Sequence, residues 1–191
     1  MGSFIPDLEK DSEEVKRRGI TITISGPAAS GKSTTARMLA KKINLEYVSM
    51  GSIFRELADE SGLSLEDYLA RSTRDTHRKA DLRQLFYAKR GGVVIEGRLG
   101  GWVAGNHAQF RFWLTAPIAV RAERYSKRHG VDLKTARELV EKRDLIDVNN
   151  YRKFYGIDFK RLDIYDFVIN NEYFDAEITT DIITYLAKYL P

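Results

Sequence analysis

The sequence contains no cysteine among its 191 residues and only three histidines, at positions 77, 107 and 129. Disulfide bonds and thiolate metal sites are therefore excluded, and the scattered histidines do not suggest a resident metal centre. Apolar runs are short, far below the roughly 18 residues that span a bilayer. Residues 1–18 lack the apolar core of a signal peptide. We therefore expect a soluble cytoplasmic protein that does not enter a membrane, with residues 1–18 as an extension that need not be fully ordered.

The sequence also lacks a long tract of one charge. The net charge is +4, from 31 Lys and Arg against 27 Asp and Glu. Basic residues cluster at 71–90 and 121–161, but acidic residues are interleaved with them. Nucleic-acid-binding proteins typically carry a basic stripe, so we do not expect a nucleic acid as partner. A pocket for several phosphate groups would account for the same excess of positive charge.

Apolar and charged residues, at 43% and 30%, are present in the proportions of a globular protein, and the length suits one domain, residues 19–191. Predicted strands cover residues 20–25, 45–48, 93–96, 110–114 and 167–169. Predicted helices cover residues 33–43, 52–60, 64–71, 75–90 and 175–189, and another begins at Pro117. This alternation predicts an α/β fold, with a parallel sheet covered by helices on both faces.

Two of these helices have apolar residues at helical spacing, which is typical of a buried face. In the helix at 75–90 they are Leu82, Leu85 and Phe86. In the helix at 175–189, we expect Ile178, Ile182, Ile183 and Leu186 to face the core.

Residues 26–34, GPAASGKST, match the phosphate-loop pattern G-x-x-x-x-G-K-[ST]. A loop wrapped around a phosphate needs glycine where other residues cannot adopt the backbone conformation. Lys32 would bring a charge to the outer phosphates, and Ser33 a hydroxyl to Mg²⁺. A predicted strand before the loop and a helix after it fit this motif. The sequence therefore predicts a nucleoside triphosphate site, with any metal brought by the nucleotide, formed by Gly26, Pro27, Ala28, Ala29, Ser30, Gly31, Lys32, Ser33 and Thr34.

The buried strand at 93–96 ends in Glu96, at the carboxyl edge of the predicted sheet. In phosphate-loop enzymes an acidic residue at this place lies near the Mg²⁺ ion. Ser33 and Glu96 are therefore the candidate Mg²⁺ ligands, partly through water. The alternative is that Glu96 only caps the strand or pairs with an arginine.

Arginines form a second group of candidates, because guanidinium groups stay protonated and bind phosphate oxygens in pairs. Arg124 and Arg128 lie four residues apart and would share one helix face. Segment 141–157 is charged and lightly hydrophobic, which predicts a mobile lid that excludes water from the reacting phosphates. Solvated surface charges are the alternative for the arginines, and a surface helix for the segment.

Five stretches together resemble nucleoside monophosphate kinases, most closely the compact archaeal-type cytidylate kinases. They are ITISGPAASGKST, YVSMGSIFRELADESGLSLEDY, VVIEGRLGGW, YRKFYGID and IYDFVIN. The resemblance extends over about residues 19–185. It implies a three-layer phosphate-loop kinase fold with a five-stranded sheet, an acceptor-binding helical segment at about 51–90 and a lid at about 141–157. It also implies transfer of the γ-phosphoryl group of ATP, with Mg²⁺, to CMP or dCMP.

The same resemblance implies roles for individual residues. Gly51 and Arg55 would line the monophosphate site, and Arg98 would bind the acceptor phosphate. The helical acceptor segment would contribute Asp81, Arg83 and Gln84. On the ATP side, Arg124 would stack on the base and Arg128 would reach the phosphates. The catalytic cations would be Lys32, Arg98, Arg143 and Arg152, the last two entering with the lid.

Three positions depart from the family pattern: Met50 beside the acceptor, Asn150 where an arginine is expected, and Asn170 where an acidic residue is common. They bear on the identity of the acceptor and on the catalytic rate. Base choice rests on a few hydrogen bonds, so UMP, AMP or a non-nucleotide acceptor stays open. A different alternative is a nucleotide-dependent switch or an RNA-associated ATPase. The acceptor-side Arg55 and Arg98 argue against it, because a plain ATPase needs no second phosphate site. We expect a monomer.

Overall fold

The computed structural model describes residues 19–71, 73–159 and 161–189, so the predicted extension at residues 1–18 lies outside the described residues. Five strands form one parallel sheet in the order β2-β3-β1-β4-β5. They are β1 (Thr21–Ser25), β2 (Glu46–Ser49), β3 (Val93–Glu96), β4 (Phe110–Thr115) and β5 (Phe167–Asn170). The predicted parallel sheet is confirmed, and each strand lies within two residues of its predicted position.

The described residues form eight α-helices around this sheet and one short 3₁₀ turn, Gly105–His107. The helices are α1 (Lys32–Lys42), α2 (Met50–Glu60), α3 (Leu65–Ala70), α4 (Arg74–Arg90), α5 (Gly100–Ala104), α6 (Ile118–His129), α7 (Leu133–Tyr155) and α8 (Ala176–Ala187). Among the described residues, none of these helices has the length and apolar character to cross a membrane.

Strand β1 lies at the centre of the sheet, and all its residues are buried. Because side chains alternate along a strand, Ile22 and Ile24 belong to a core formed with α1 and α8. A second core, on the other face, joins Val93 and Ile95 of β3 to α2 and α4. Helices thus cover both faces, as the alternation of strands and helices predicted.

The apolar spacing in α4 does not mark its buried face. Leu82 and Phe86 are 56% and 59% exposed, whereas Ala80, Gln84 and Ala88 are buried. Small alanine side chains let the helix backbone approach its neighbours closely, which larger residues would prevent. A pattern search weighted by hydrophobicity therefore selects the wrong side of this helix.

The expected core face of α8 is wrong at Ile178, which is 45% exposed, although Ile183 is fully buried as predicted. The buried face also contains Thr179, Thr180 and Thr184. Each of these threonine hydroxyls donates to a carbonyl oxygen one turn earlier in its own helix region, at 2.6–2.8 Å. Because each hydroxyl already has a hydrogen-bond acceptor in the preceding turn, these threonines can be buried like apolar residues.

Parallel strands bring all their carboxyl ends to one edge of the sheet. The phosphate loop follows β1 there, α2 begins directly after β2, and Glu96 ends β3. In the register of the sheet, Glu96 lies opposite Ile24 of β1 and Ser49 of β2. The predicted site residues on these three strands therefore meet at the same edge.

Candidate functional site

The phosphate loop connects β1 to α1 through two glycines that no other residue could replace without strain. Gly26 has φ +152°, and a Cβ there would lie 2.2 Å from the carbonyl oxygen of Leu114. Gly31 has φ +90° and directly precedes α1, whose first turn has no side-chain cap. The first N–H groups of α1 are therefore free to bind an anion, and the helix dipole favours one.

Lys32 is the first residue of α1, and its Nζ donates to the carbonyl oxygen of Pro27 at 3.1 Å. Burial, followed by the positive charge of Arg98, lowers the pKa of Lys32 to about 8. Glu96 and two aspartates of α7 oppose this shift. The nearby carboxylates therefore do not offset the cost of burying the ammonium charge, and a bound phosphate would stabilise that charge.

Beside the phosphate loop lies a cavity of about 960 Å³, which we call the loop cavity. Several predicted ATP-site residues line it, namely Ala28, Ala29, Gly31, Lys32, Thr34, Arg124 and Arg128. Arg124 donates from Nη1 to Asn171 Oδ1 at 2.9 Å, and Asn171 Nδ2 donates to the carbonyl oxygen of Ser30 at 2.9 Å. Asn171, which the sequence analysis missed, therefore fixes Arg124 to the phosphate loop.

A second cavity of about 510 Å³, the helical cavity, lies between α2, α4, α7 and the end of β3. The predicted residues that line it are Gly51, Asp81, Gln84, Glu96 and Arg98, together with the departures Met50 and Asn150. Aromatic side chains complete the wall, and the sequence analysis gave none of them a role, although the stretch YRKFYGID contains three of them. They are Phe54, His77, Tyr151, Phe154 and Tyr155.

The two cavities share part of their lining: Lys32, Arg98, Arg143 and Ile146 contribute to both. Three of these residues are cationic. A molecule in one cavity and a molecule in the other could therefore bring negatively charged groups to the same three cations. That arrangement is what transfer of a phosphoryl group between two substrates requires.

Arg98 holds the central position between the cavities, with its side chain 16% exposed. Its Nε lies 2.8 Å from Asp147 Oδ2, and its Nη1 lies 3.5 Å from Asp144 Oδ1. Nη1 is buried and makes no hydrogen bond within the described part of the chain. Because Asp144 approaches Nη1 only as an ion pair, this buried nitrogen keeps its capacity to donate a hydrogen bond, and the site favours an incoming anion.

Asp144 and Asp147 on α7 were missed by the sequence analysis. Asp144 accepts hydrogen bonds from the backbone N–H of Ala28, at 2.8 Å, and from Arg121 Nη1, at 2.6 Å. Asp147 is buried, and desolvation raises its pKa although Arg98 and Arg143 oppose the shift. The four-residue spacing of Arg143 and Asp147 was a signal that could have indicated a pair on one helix face.

The predicted lid, residues 141–157, forms the second half of the continuous helix α7 and the turn after it. Its aspartates bind the phosphate loop and Arg98, whereas Tyr151 and Tyr155 pack against an aromatic cluster around Trp113. Both ends of the segment thus contact the rest of the domain. Its mobility stays a prediction.

Three predicted arginines are not among the residues that line either cavity. Arg83 forms ion pairs with Glu60, at 2.7 Å, and Glu56, at 3.4 Å, because these two carboxylates face it from α2. Arg152 is exposed on α7. Arg55 is exposed near Gly51, where a Cβ would lie 3.8 Å from its Nη1.

Asn170 also lies away from the cavities. Its side chain accepts a hydrogen bond from the backbone N–H of Glu172 at 3.1 Å and so stabilises the turn after β5. An acidic residue could accept the same bond, so this departure from the family pattern changes the turn little.

No group of three or more His, Asp or Glu side chains within the described residues could hold a metal ion by itself. Ser33 stands next to Lys32, and Glu96 is nearly buried in the wall of the helical cavity. A hydroxyl and a carboxylate are oxygen ligands of the kind Mg²⁺ prefers, with substrate phosphates and water completing its shell. The residues present therefore fit a magnesium ion that arrives with a nucleotide.

Solved structures with a similar fold support the architecture. An uncharacterized protein from Eubacterium ventriosum matches with a TM-score of 0.70 and 21% identity, over 89% of this chain and 99% of that chain. The shikimate kinase from Bacteroides thetaiotaomicron matches with a TM-score of 0.61 and 14% identity, over 87% and 97% of the two chains. At these identities the likeness shows the fold, that of phosphate-loop kinases.

Sequence comparison is more specific. The model of the cytidylate kinase-like family matches residues 21–173. A protein from Pyrococcus horikoshii named cytidylate kinase is 42% identical over 160 residues, 83% of each chain. One from Natronomonas pharaonis with the same name is 44% identical over 152 residues, 78% of this chain and 79% of the relative. This chain therefore belongs to the cytidylate kinase-like family.

Proposed function

We propose that this protein is a nucleotide kinase that transfers the γ-phosphoryl group of ATP to CMP or dCMP. The observation that carries the proposal is the buried Nη1 of Arg98, which lacks a hydrogen-bond partner among the described residues and lies where the loop cavity and the helical cavity meet. The names of the family and of its relatives, cytidylate kinase, support cytidine monophosphate as the acceptor.

ATP would occupy the loop cavity, with its phosphates on the backbone N–H groups of the phosphate loop and the N-terminus of α1. Arg124 and Arg128 also line this cavity and would contact the base and phosphates. CMP would occupy the helical cavity with its phosphate toward Arg98. This placement would bring the attacking oxygen toward the γ-phosphorus atom, which would lower the entropic part of the barrier.

Charge stabilisation would provide most of the remaining catalysis. Lys32, Arg98 and Arg143 line both cavities, so they would neutralise the charge that spreads over the migrating phosphoryl group. Ser33 and Glu96 would hold a Mg²⁺ ion, partly through water, and the ion would supply further positive charge for the transfer. No general base is required, because the attacking phosphate oxygen of CMP is already anionic.

The test is a coupled assay that measures ADP formation with ATP, Mg²⁺ and each nucleoside monophosphate in turn. We expect CMP and dCMP to give the fastest turnover, and chelation of Mg²⁺ by EDTA to abolish it. ATP hydrolysis at a rate that no monophosphate changes would contradict the proposal. Faster turnover with UMP or AMP would show that the proposed reaction is correct but that the acceptor is a different nucleotide.

A further inference from the structure

The helical cavity has a cationic end and an aromatic end. Arg143 and Tyr155 line it from positions about 18 Å apart along α7. At the aromatic end, the ring of His77 lies between Phe54, at 5.7 Å between centroids, and Phe154, at 6.3 Å. Flat aromatic walls suit a planar base, whereas the cationic end suits a phosphate.

One carboxylate stands at the aromatic end. Asp81 projects from α4, and its Oδ2 accepts a hydrogen bond from the Tyr155 hydroxyl at 2.6 Å. Within the described part of the chain, no second hydrogen bond to Asp81 occurs, so Oδ1 keeps its capacity to accept one. Tyr155 is the last residue of α7, immediately before the left-handed Gly156. The orientation of Asp81 thus depends on the position of the end of α7.

An ionised carboxylate accepts hydrogen bonds and cannot donate them. Cytosine presents an exocyclic amine at the position where uracil presents a carbonyl oxygen. Asp81 would accept a hydrogen bond from the amine and would repel the carbonyl. Gln84, three residues further on α4, lines the same cavity, but it is neutral and its Nε2 already donates to the carbonyl oxygen of Gly100 at 3.4 Å. Its remaining Oε1 would accept from the amine or oppose the carbonyl more weakly than the charged carboxylate of Asp81 would.

We infer that Asp81 is the residue that selects an aminopyrimidine acceptor over a ketopyrimidine, and that Tyr155 is a positioning residue that orients it. The inference rests on the proposed function in one respect, that the acceptor nucleotide binds in the helical cavity. It adds to that function the chemical basis of the base preference. It also makes recognition of the base depend on the end of α7 being packed against α4.

The direct test compares kcat/KM for CMP and UMP in Asp81→Asn, Asp81→Glu and the unmodified protein. In Asp81→Asn the amide can donate to the uracil carbonyl, so we expect the CMP-to-UMP ratio to fall at least about 30-fold, in the range for a lost charged hydrogen bond. Asp81→Glu keeps the acceptor charge and should retain a preference for CMP. The KM for ATP should change less than about twofold in both variants, since Asp81 does not line the loop cavity.

Tyr155→Phe tests the positioning role, because it removes the hydroxyl and keeps the ring. We expect the KM for CMP to rise about tenfold with a smaller change in kcat, and the CMP-to-UMP ratio to fall about fivefold. Tyr87→Phe is the matched control, since the Tyr87 hydroxyl also donates to a carboxylate, Glu56 Oε2 at 2.8 Å, but does so outside the helical cavity. The control should leave the ratio unchanged.

Binding of CMP and UMP is measured in parallel by calorimetry, which needs no turnover. An unchanged CMP-to-UMP ratio of dissociation constants in folded Asp81→Asn would overturn the inference, as would equal losses for the two nucleotides. A wild-type protein that binds CMP but phosphorylates no monophosphate would instead contradict the proposed function. The two failures are therefore distinguishable.

Discussion

The phosphate loop and the helical cavity are built in opposite ways. Between β1 and α1 the loop is a run of consecutive residues, 26–31, whose backbone would form the proposed binding surface, and even Lys32 contacts its own loop through the carbonyl oxygen of Pro27. The helical cavity combines side chains from Lys32 to Tyr155, contributed by four helices, a strand end and the turn after that strand. Its central cation, Arg98, is held by carboxylates of α7. A site made of backbone is encoded locally, whereas a site made of distant side chains exists only after folding.

The largest expected loss of activity comes from a change at the phosphate loop. Lys32→Ala should lower kcat about 1,000-fold, because it removes a buried cation that lines both cavities. Lys42→Ala, at the other end of α1, removes a half-exposed ion pair with Asp181 and should leave kcat unchanged. Steady-state kinetics of both variants, with thermal unfolding to show that they are folded, would make the comparison. A loss below tenfold in Lys32→Ala would mean that the loop acts through its backbone alone.

The next largest effect distinguishes an arginine that lines the helical cavity from one that does not. Arg98→Ala should lower kcat/KM for CMP about 100-fold, since it removes the guanidinium group between the cavities. Arg83→Ala should cost less than about threefold, because Arg83 pairs with Glu56 and Glu60 on the outer face of α4. Kinetics with CMP as the varied substrate would measure both losses. Equal losses would show that α4 rearranges when the acceptor binds and brings Arg83 inward.

The smallest expected effect is a pH dependence that distinguishes the two halves. With a pKa near 8, Lys32 in the substrate-free protein is charged below pH 8 and neutral above it. We therefore expect the affinity for ATP to fall about tenfold between pH 7.5 and 9, and the affinity for CMP, which would bind through arginine rather than lysine, to change less. Titration calorimetry across this range would test it. A flat profile for ATP would show that Lys32 keeps its proton.

Lys32 also makes the stability of the protein depend on pH, in a direction that follows from its lowered pKa. The pKa of Lys32 is lowered from 10.5 in an exposed lysine to about 8 in the folded protein, so between these values the unfolded chain holds more protons. The free energy of unfolding should therefore gain a favourable contribution from Lys32 as the pH rises from 8 to 10.5, and the penalty for burying its charge is fully present below pH 8. Chemical denaturation of the wild type and Lys32→Ala at several pH values would isolate this contribution.

Prediction from sequence succeeded where the signal was local. The parallel sheet follows from β-branched runs alternating with helices, and the loop follows from glycine, lysine and serine at fixed spacing. It failed where a buried helix face is made of small residues, such as Ala80 and Ala88 in α4, or of polar residues with hydrogen bonds inside the helix, such as Thr180 in α8. Asp144 and Tyr155 could not be assigned either, because their partners lie 116 and 74 residues away in the chain.

The sequence by itself determined the phosphate loop, the order of strands and helices and the resemblance to cytidylate kinases, because each depends on residues close together in the chain. Only the tertiary structure decided which cations meet. It places Lys32, Arg98 and Arg143 where two cavities join and leaves Arg83 in an ion pair on the outside. The physical reason is that a charged side chain is positioned by its nearest counter-charges and by burial, and both are set by how the helices pack.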